Sequence, residues 1–219
     1  TLFPYTTLFR SELNQLLHKQ YAAVPFQKWL QTHQPFHWFA EFYEIVHWKG
    51  GFDVIIGNPP YVEYSKVKKD YTIKNYMTEK CNNLYVFVIE RCKGIMNDRS
   101  YFGMIVPLSI SCGERMSELR KFVESNLHNV SILNFEIFPS RLFDGAFQRL
   151  SIIIGSNCIN IDSFRYVTKL QRWYSIERES LIDKIKLTKV NMREILPLFG
   201  KFHSTIHMGI ISKIGTNKK

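Results

Sequence analysis

Four consecutive residues, Asn58, Pro59, Pro60 and Tyr61, carry the most legible chemistry in this sequence. Each proline fixes φ and lacks an N–H, so the turn is stiff and its carbonyls stay free to accept hydrogen bonds. The Asn58 side chain adds an acceptor oxygen beside them. A planar amino group held there can donate one hydrogen to Asn58 and the other to the Pro59 carbonyl. That pulls its nitrogen out of conjugation and exposes a lone pair for attack. The Tyr61 ring offers a flat face on which a planar group can stack.

The run just before these residues, Phe52-Asp53-Val54-Ile55-Ile56-Gly57, is short, apolar and β-branched, and reads as a buried parallel strand. Ligands of open α/β sheets bind beyond the carboxyl ends of the strands, which is where Asn58 and Tyr61 fall. A Pro-Pro pair alone reads more readily as a turn capping a core strand. The whole string, directly after such a strand, favours the chemical reading.

The elements downstream alternate. Leu84, Val88, Cys92, Ile95 and Met96 mark one face of a helix over residues 83–97, and residues 101–106 form a strand ended by Pro107. A second helix over 114–127 turns Met116, Leu119, Phe122, Val123 and Leu127 inward. Residues 130–137 and 150–154 read as two further strands, and the loop between them holds Phe138, Phe143 and Phe147. Strand, helix, strand, helix, strand, strand is an α/β pattern. Residues 62–82 are polar and aperiodic and carry Lys66, Lys68, Lys69, Lys74 and Lys80, as a long basic surface loop able to touch DNA would. Upstream, residues 12–30 read as one helix with Leu13, Leu16, Leu17, Tyr21 and Val24 along one side, followed by an aromatic-rich span over 36–48.

Composition narrows the class. The chain has 219 residues, is 45% hydrophobic and 15% aromatic, and is therefore globular in type, with room for one sizeable domain or one and part of another. No apolar run approaches the ~20 residues of a membrane span, and the N-terminus lacks signal-peptide features; both point to a cytoplasmic protein. Cys81, Cys92, Cys112 and Cys158 show no metal spacing and read as reduced and mostly buried. None follows a proline, so the Pro-Cys nucleophile of cytosine carbon-5 methylases is missing. His37 and His47 have no third ligand at useful spacing, so no metal is expected. The net charge is +10, and residues 161–219 hold twelve Lys/Arg against five Asp/Glu, a bias suited to phosphates.

The Asn-Pro-Pro-Tyr string resembles motif IV of S-adenosylmethionine-dependent amino-methyltransferases. With Pro35-Phe36-His37-Trp38, Glu41-Phe42 and Gly50-Gly51-Phe52-Asp53 in front, it is similar to the adenine-specific DNA methylases of bacterial restriction-modification systems, above all the large chains that fuse both activities. The resemblance runs over about residues 36–157. It implies the second half of a Rossmann-like methyltransferase sheet, truncated, with a helical lead-in and with the last two strands as an antiparallel edge hairpin. It also implies methyl transfer from S-adenosylmethionine to the N6 amino group of an adenine flipped out of double-stranded DNA. Asn58, Pro59 and Pro60 would hold that amino group, Tyr61 would stack on the base, and Phe143 would close the other face, with Phe147 in reserve.

The domain organisation expected on this basis is a non-native scar over 1–11, resembling translated adapter sequence, then a helical lead-in over 12–50. A catalytic core over 51–160 follows, and then a basic connection toward a target-recognition domain over 161–219, with a helical tendency over 176–187. The glycine-containing cofactor motif of the family is expected upstream, because Gly50 and Gly51 are the only glycines in the first 56 residues and precede the motif-IV strand. On that account the chain alone neither binds cofactor well nor catalyses transfer. Two readings stand beside the main one: methylation of protein glutamine or RNA guanine amino groups, which uses the same string, and a non-catalytic DNA-binding remnant.

Overall fold

The computed structural model of the chain describes residues 4–19, 23–70, 72–158, 164–190 and 199. They fall into two compact units, within Thr1–Phe52 and Asp53–Lys219.

The first unit is helical. It holds α1 (Pro4–His18), α2 (Phe26–His33), the single turn α3 (Trp38–Glu41) and a π-helical turn at Glu44–Trp48. The one helix expected over 12–30 is thus two. Pro25, without an N–H, stands at the N-cap of α2 rather than inside a continuous helix; Tyr21 lies outside the described residues. Residues 4–11, set aside in the sequence reading, are helical, and Arg10 pairs with Glu41 at 2.7 Å. Trp29, 1% exposed, anchors this unit with Phe26 and His18 against its ring. In the aromatic span Trp38 packs on Phe36, Phe42 and Phe52 with centroids 5.3, 5.4 and 6.1 Å apart. His37 bonds Asn14 Oδ1 and His47 stacks on Tyr43. Among the described residues no three potential metal ligands come together.

The second unit is built on a mixed six-stranded sheet. In chain order its elements are β1 (Phe52–Gly57), α4 (Tyr64–Val67), α5 (Leu84–Lys93), β2 (Met96–Pro107), α6 (Ser109–Cys112) and α7 (Ser117–Asn126). There follow β3 (His128–Phe135), β4 (Leu150–Ser156), β5 (Arg165–Gln171) and β6 (Thr188–Val190). The strands lie in the order β1-β2-β4-β3-β5-β6. β4 runs antiparallel to both β2 and β3, β5 parallel to β3, and β6 antiparallel to β5.

Helices α5 and α7 cover one face. Tyr85, Val86, Ile89, Leu119, Phe122 and Val123 meet Phe102, Met104, Val106, Ile132 and Ile153 of the sheet in the main core. The inward residues expected for α7 and its flanks, including Met116 and Leu127, are all buried. The preceding helix is shorter than the sequence suggests: it stops at Lys93 with Gly94 as its cap, and Met96 already begins β2. A smaller cluster on Leu133, Phe135 and Trp173 occupies another part of the sheet.

Two expectations are corrected. β1 is not buried on both faces: Val54 and Ile56 are 57% and 78% exposed, while Ile55 packs on the core. A strand is dry on both faces only when a layer covers each, and the α5–α7 layer covers one. The β3–β4 hairpin is present and antiparallel, yet it is not the edge of the sheet, because β5 and β6 continue beyond β3. Those strands come from the stretch expected as a connection. The helical tendency over 176–187 is a 3-10 segment, Ser175–Ser180, followed by turns. Residues 159–163, 191–198 and 200–219 of that stretch lie outside the described residues. Of the four cysteines, all free, Cys81 and Cys92 are buried, Cys158 is half-buried and Cys112 is exposed. Among the described residues no helix is long and apolar enough to cross a membrane.

Candidate active site

Three chain segments meet at one end of the sheet. β1 ends at Gly57 and delivers Asn58-Pro59-Pro60-Tyr61; β2 ends at Pro107, opposite Leu150 of β4; and the loop from β3 to β4 returns between them. Gly57 suits this crossing, since a Cβ there would stand 3.2 Å from Met104 Sδ, a contact that needs Met104 to give way. Leu108 N–H donates to the Arg149 carbonyl at 2.9 Å, which ties the end of β2 to the returning loop.

The segments border an open cleft of about 560 Å³, lined by Asn58, Pro59, Pro60 and Tyr61 after β1 and by Phe143, Ala146, Phe147 and Gln148 of the β3–β4 loop. The structure therefore brings together every site residue read from the sequence. Asn58 and Pro60 are exposed, Pro59 is buried, and Tyr61 and Phe143 are half-buried. Phe147 is 75% exposed, with the Arg141 guanidinium 4.2 Å from its ring centre. Phe138 does not line the cleft.

Tyr61 is held from two directions. Its one hydroxyl proton is shared between two acceptors, Asn58 Oδ1 and the Ile105 carbonyl, the latter at 2.9 Å. Its ring meets Tyr85 edge-on, with centroids 6.4 Å apart. Burial pushes the Tyr61 pKa up to about 12, so the hydroxyl keeps its proton. Asn58 Oδ1 has two lone pairs; one takes the Tyr61 hydroxyl and the other remains for an amino hydrogen. The Ile105 carbonyl and the Tyr85 ring escaped the sequence reading. A main-chain carbonyl carries no residue signal, and Tyr85 reads simply as one more core position of α5.

The basic loop is anchored. The Glu90 carboxylate accepts from Met77 N–H, Thr78 N–H and Thr78 Oγ1 at 2.9, 3.0 and 2.6 Å. The loop closes at its base through Tyr64 N–H to the Asn82 carbonyl and Leu84 N–H to the Val62 carbonyl. Lys66, Lys68, Lys69, Lys74 and Lys80 all point to solvent.

These residues bring the Asn58 amide oxygen and the Tyr61, Phe143 and Phe147 rings to one cleft. The described residues before β1 are helical, and Gly50 and Gly51, at φ 74° and 133°, form the turn into β1 rather than a loop following a strand.

The chain is similar to several known proteins. A putative type II restriction enzyme and methyltransferase of Methanocaldococcus jannaschii is 34% identical over 113 residues, which is 51% of this chain and 9% of that protein. The modification methylase CviBIII of Paramecium bursaria Chlorella virus NC1A is 31% identical over 122 residues, 54% of this chain and 30% of that protein. The type II restriction enzyme and methyltransferase RM.Eco57I of Escherichia coli is 25% identical over 143 residues, 60% of this chain and 14% of that protein. The chain thus spans between about a tenth and a third of the length of these relatives.

Among solved structures, the DrdV–DNA complex matches with a TM-score of 0.52 at 13% identity, over 69% of this chain and 18% of that one. A nuclease-deletion mutant of the Type ISP restriction-modification enzyme LlaGI, in complex with a DNA substrate mimic, matches with a TM-score of 0.51 at 16% identity, over 65% of this chain and 17% of that one. These two show the fold. The Eco57I restriction-modification methylase family matches residues 6–143. With that match over more than half its length, and with the site string at the end of β1, the chain belongs to the Eco57I restriction-modification methylase family.

Proposed function

We propose that this chain forms the acceptor half of a DNA methyltransferase that modifies the N6 amino group of adenine in double-stranded DNA, as the modification arm of a restriction-modification system. One observation carries the reading: Asn58, Pro59 and Tyr61 line one cleft together with Phe143 and Phe147. A base inside a duplex cannot reach such a cleft, so the target is flipped out, as enzymes that modify bases generally require.

In the bound state the amino group donates to Asn58 Oδ1 and to the Pro59 carbonyl. Both acceptors gain strength as positive charge develops on the nitrogen, which favours the transition state over the ground state. Tyr61 and Phe143 hold the ring between them, and Phe147 stands at the mouth. The lysines of the anchored loop supply phosphate contacts, which set affinity and not sequence. S-adenosylmethionine, the methyl donor used by the families this chain resembles, supplies an electrophilic methyl carbon when bound.

The decisive comparison uses the intact methyltransferase that carries this chain, with labelled methyl donor offered alongside duplex DNA, RNA and glutamine-containing peptides. Label on adenine N6 of the duplex alone is the expected result. Label on RNA or peptide would move the assignment to the second class of amino-methyltransferase. Retained DNA binding with no transfer to any acceptor would mark a non-catalytic remnant.

A further inference from the structure

The aromatic wall of the cleft sits on a loop, residues 136–149, and a loop needs something to hold it. Its ends are tied by Arg149 Nε to Glu136 Oε1 at 2.6 Å. Its middle is held from elsewhere, by the segment after β5. There Arg178 Nη1 donates to the Leu142 carbonyl at 2.8 Å and Nη2 to the Arg141 carbonyl at 3.0 Å. These are the two peptide units immediately before Phe143.

The guanidinium lies over the ring of Trp173, 4.8 Å from its centre. Trp173 is 2% exposed and its Nε1 has no hydrogen-bond partner among the described residues, so what it offers Arg178 is a flat face. Leu142 packs into the same cluster with Leu133, Phe135 and Leu181. Glu177 accepts from Tyr174 N–H at 2.8 Å and fixes the 3-10 segment that presents Arg178. A planar fork of donors stacked on an indole suits two neighbouring carbonyls, and a lysine cannot reproduce it.

We infer that Arg178 is a positioning residue: from outside the cleft, it sets the backbone that carries Phe143 and so fixes the stacking wall. Arg178 lines none of the cleft and acts through Phe143. The segment that follows β5 is thereby coupled to base stacking. This rests on the reading of the cleft as a flipped-base site.

The test uses the intact methyltransferase with a duplex carrying 2-aminopurine in place of the methylated adenine. The probe brightens when unstacked and is quenched against an aromatic ring. Arg178→Lys and Arg178→Ala should leave duplex affinity within about twofold, since the contact is not to phosphate. Both should raise probe emission in the complex toward that of Phe143→Ala and lower kcat by about tenfold or more, as expected when a contact is displaced. Arg178→Ala combined with Phe143→Ala should be no worse than Phe143→Ala alone. Unchanged emission and kcat in both Arg178 variants, or effects that simply add to those of Phe143→Ala, overturn the inference while the cleft assignment stands. If Phe143→Ala itself leaves emission unchanged, the cleft assignment fails and the inference with it.

Discussion

The Tyr61 hydroxyl is hydrogen-bonded to the side-chain oxygen of Asn58, so the ring expected against the base and the acceptor expected beside it are oriented as one unit. The Ile105 carbonyl steadies the same hydroxyl from β2. Tyr61→Phe keeps the ring and loses the one hydroxyl proton that these two acceptors share. The expected result is a drop in kcat of roughly threefold to tenfold with little change in DNA affinity, the size of one neutral hydrogen bond. Tyr61→Ala, which also removes the ring, should cost more in both. Equal activity of Tyr61→Phe and the parent would mean that Asn58 is oriented without its neighbour.

Phe143 and Phe147 both line the cleft and differ in exposure. Phe143 is half-buried, whereas Phe147 stands in solvent beneath Arg141. Stacking of a base on an aromatic is worth about 1–3 kcal/mol, so Phe143→Ala should weaken the flipped complex by roughly fivefold to a hundredfold. Phe147→Ala should have the smaller effect. Stopped-flow fluorescence with 2-aminopurine at the target position would rank the two, and the reverse order would transfer the stacking role to Phe147.

Much of this was legible beforehand, for reasons particular to the residues. Asn58-Pro59-Pro60-Tyr61 is local in sequence, and its stiffness follows from two prolines. The inward positions of α7 follow from 3.6-residue spacing, and all of them are buried. What escaped was non-local. Pro25 divides a helix whose apolar spacing is continuous, because spacing does not register a missing N–H. The exposure of Val54 and Ile56 depends on which layers cover the sheet, and a β-branched run reads the same with or without them. β5 joins the sheet only by pairing with β3, and Arg178 reaches residues 36 and 37 positions earlier. No local pattern announces either contact.

Asn134 is a buried junction beneath the site. Its Oδ1 accepts from Ser111 Oγ and Ser151 Oγ, each at 2.8 Å, and its Nδ2 donates to the Thr168 carbonyl at 3.1 Å. Its own N–H donates to Thr168 Oγ1 at 2.8 Å. Asn134→Ala strands two hydroxyls and a carbonyl away from water, and should lower unfolding stability by about 3 kcal/mol or more. Ser151→Ala, which leaves one lone pair without its donor, should cost about 1 kcal/mol. Urea titrations of the two variants would check the order, and equal midpoints would mean that the junction contributes no more than one ordinary contact.

Glu136 accepts from Arg149 at the mouth of the aromatic loop, and that bond holds its pKa below the ordinary glutamate value. A carboxyl depressed on folding stabilises the folded state above its unfolded pKa, and the contribution fades as pH falls through the folded value. Glu136→Gln should therefore be less stable than the parent at pH 7. The difference should shrink under acid, once Glu136 is protonated in both states. A stability gap that is the same at both extremes of pH would remove the ion pair as its cause.

The most direct measurement is methyl transfer to duplex DNA by Asn58→Ala in the intact methyltransferase carrying this chain, with DNA affinity measured in parallel. Loss of an acceptor used in the transition state should lower kcat by about a hundredfold or more. Affinity, set by phosphate contacts, should change little. Transfer at the parent rate would contradict the assignment of Asn58 as the acceptor that activates the amino group.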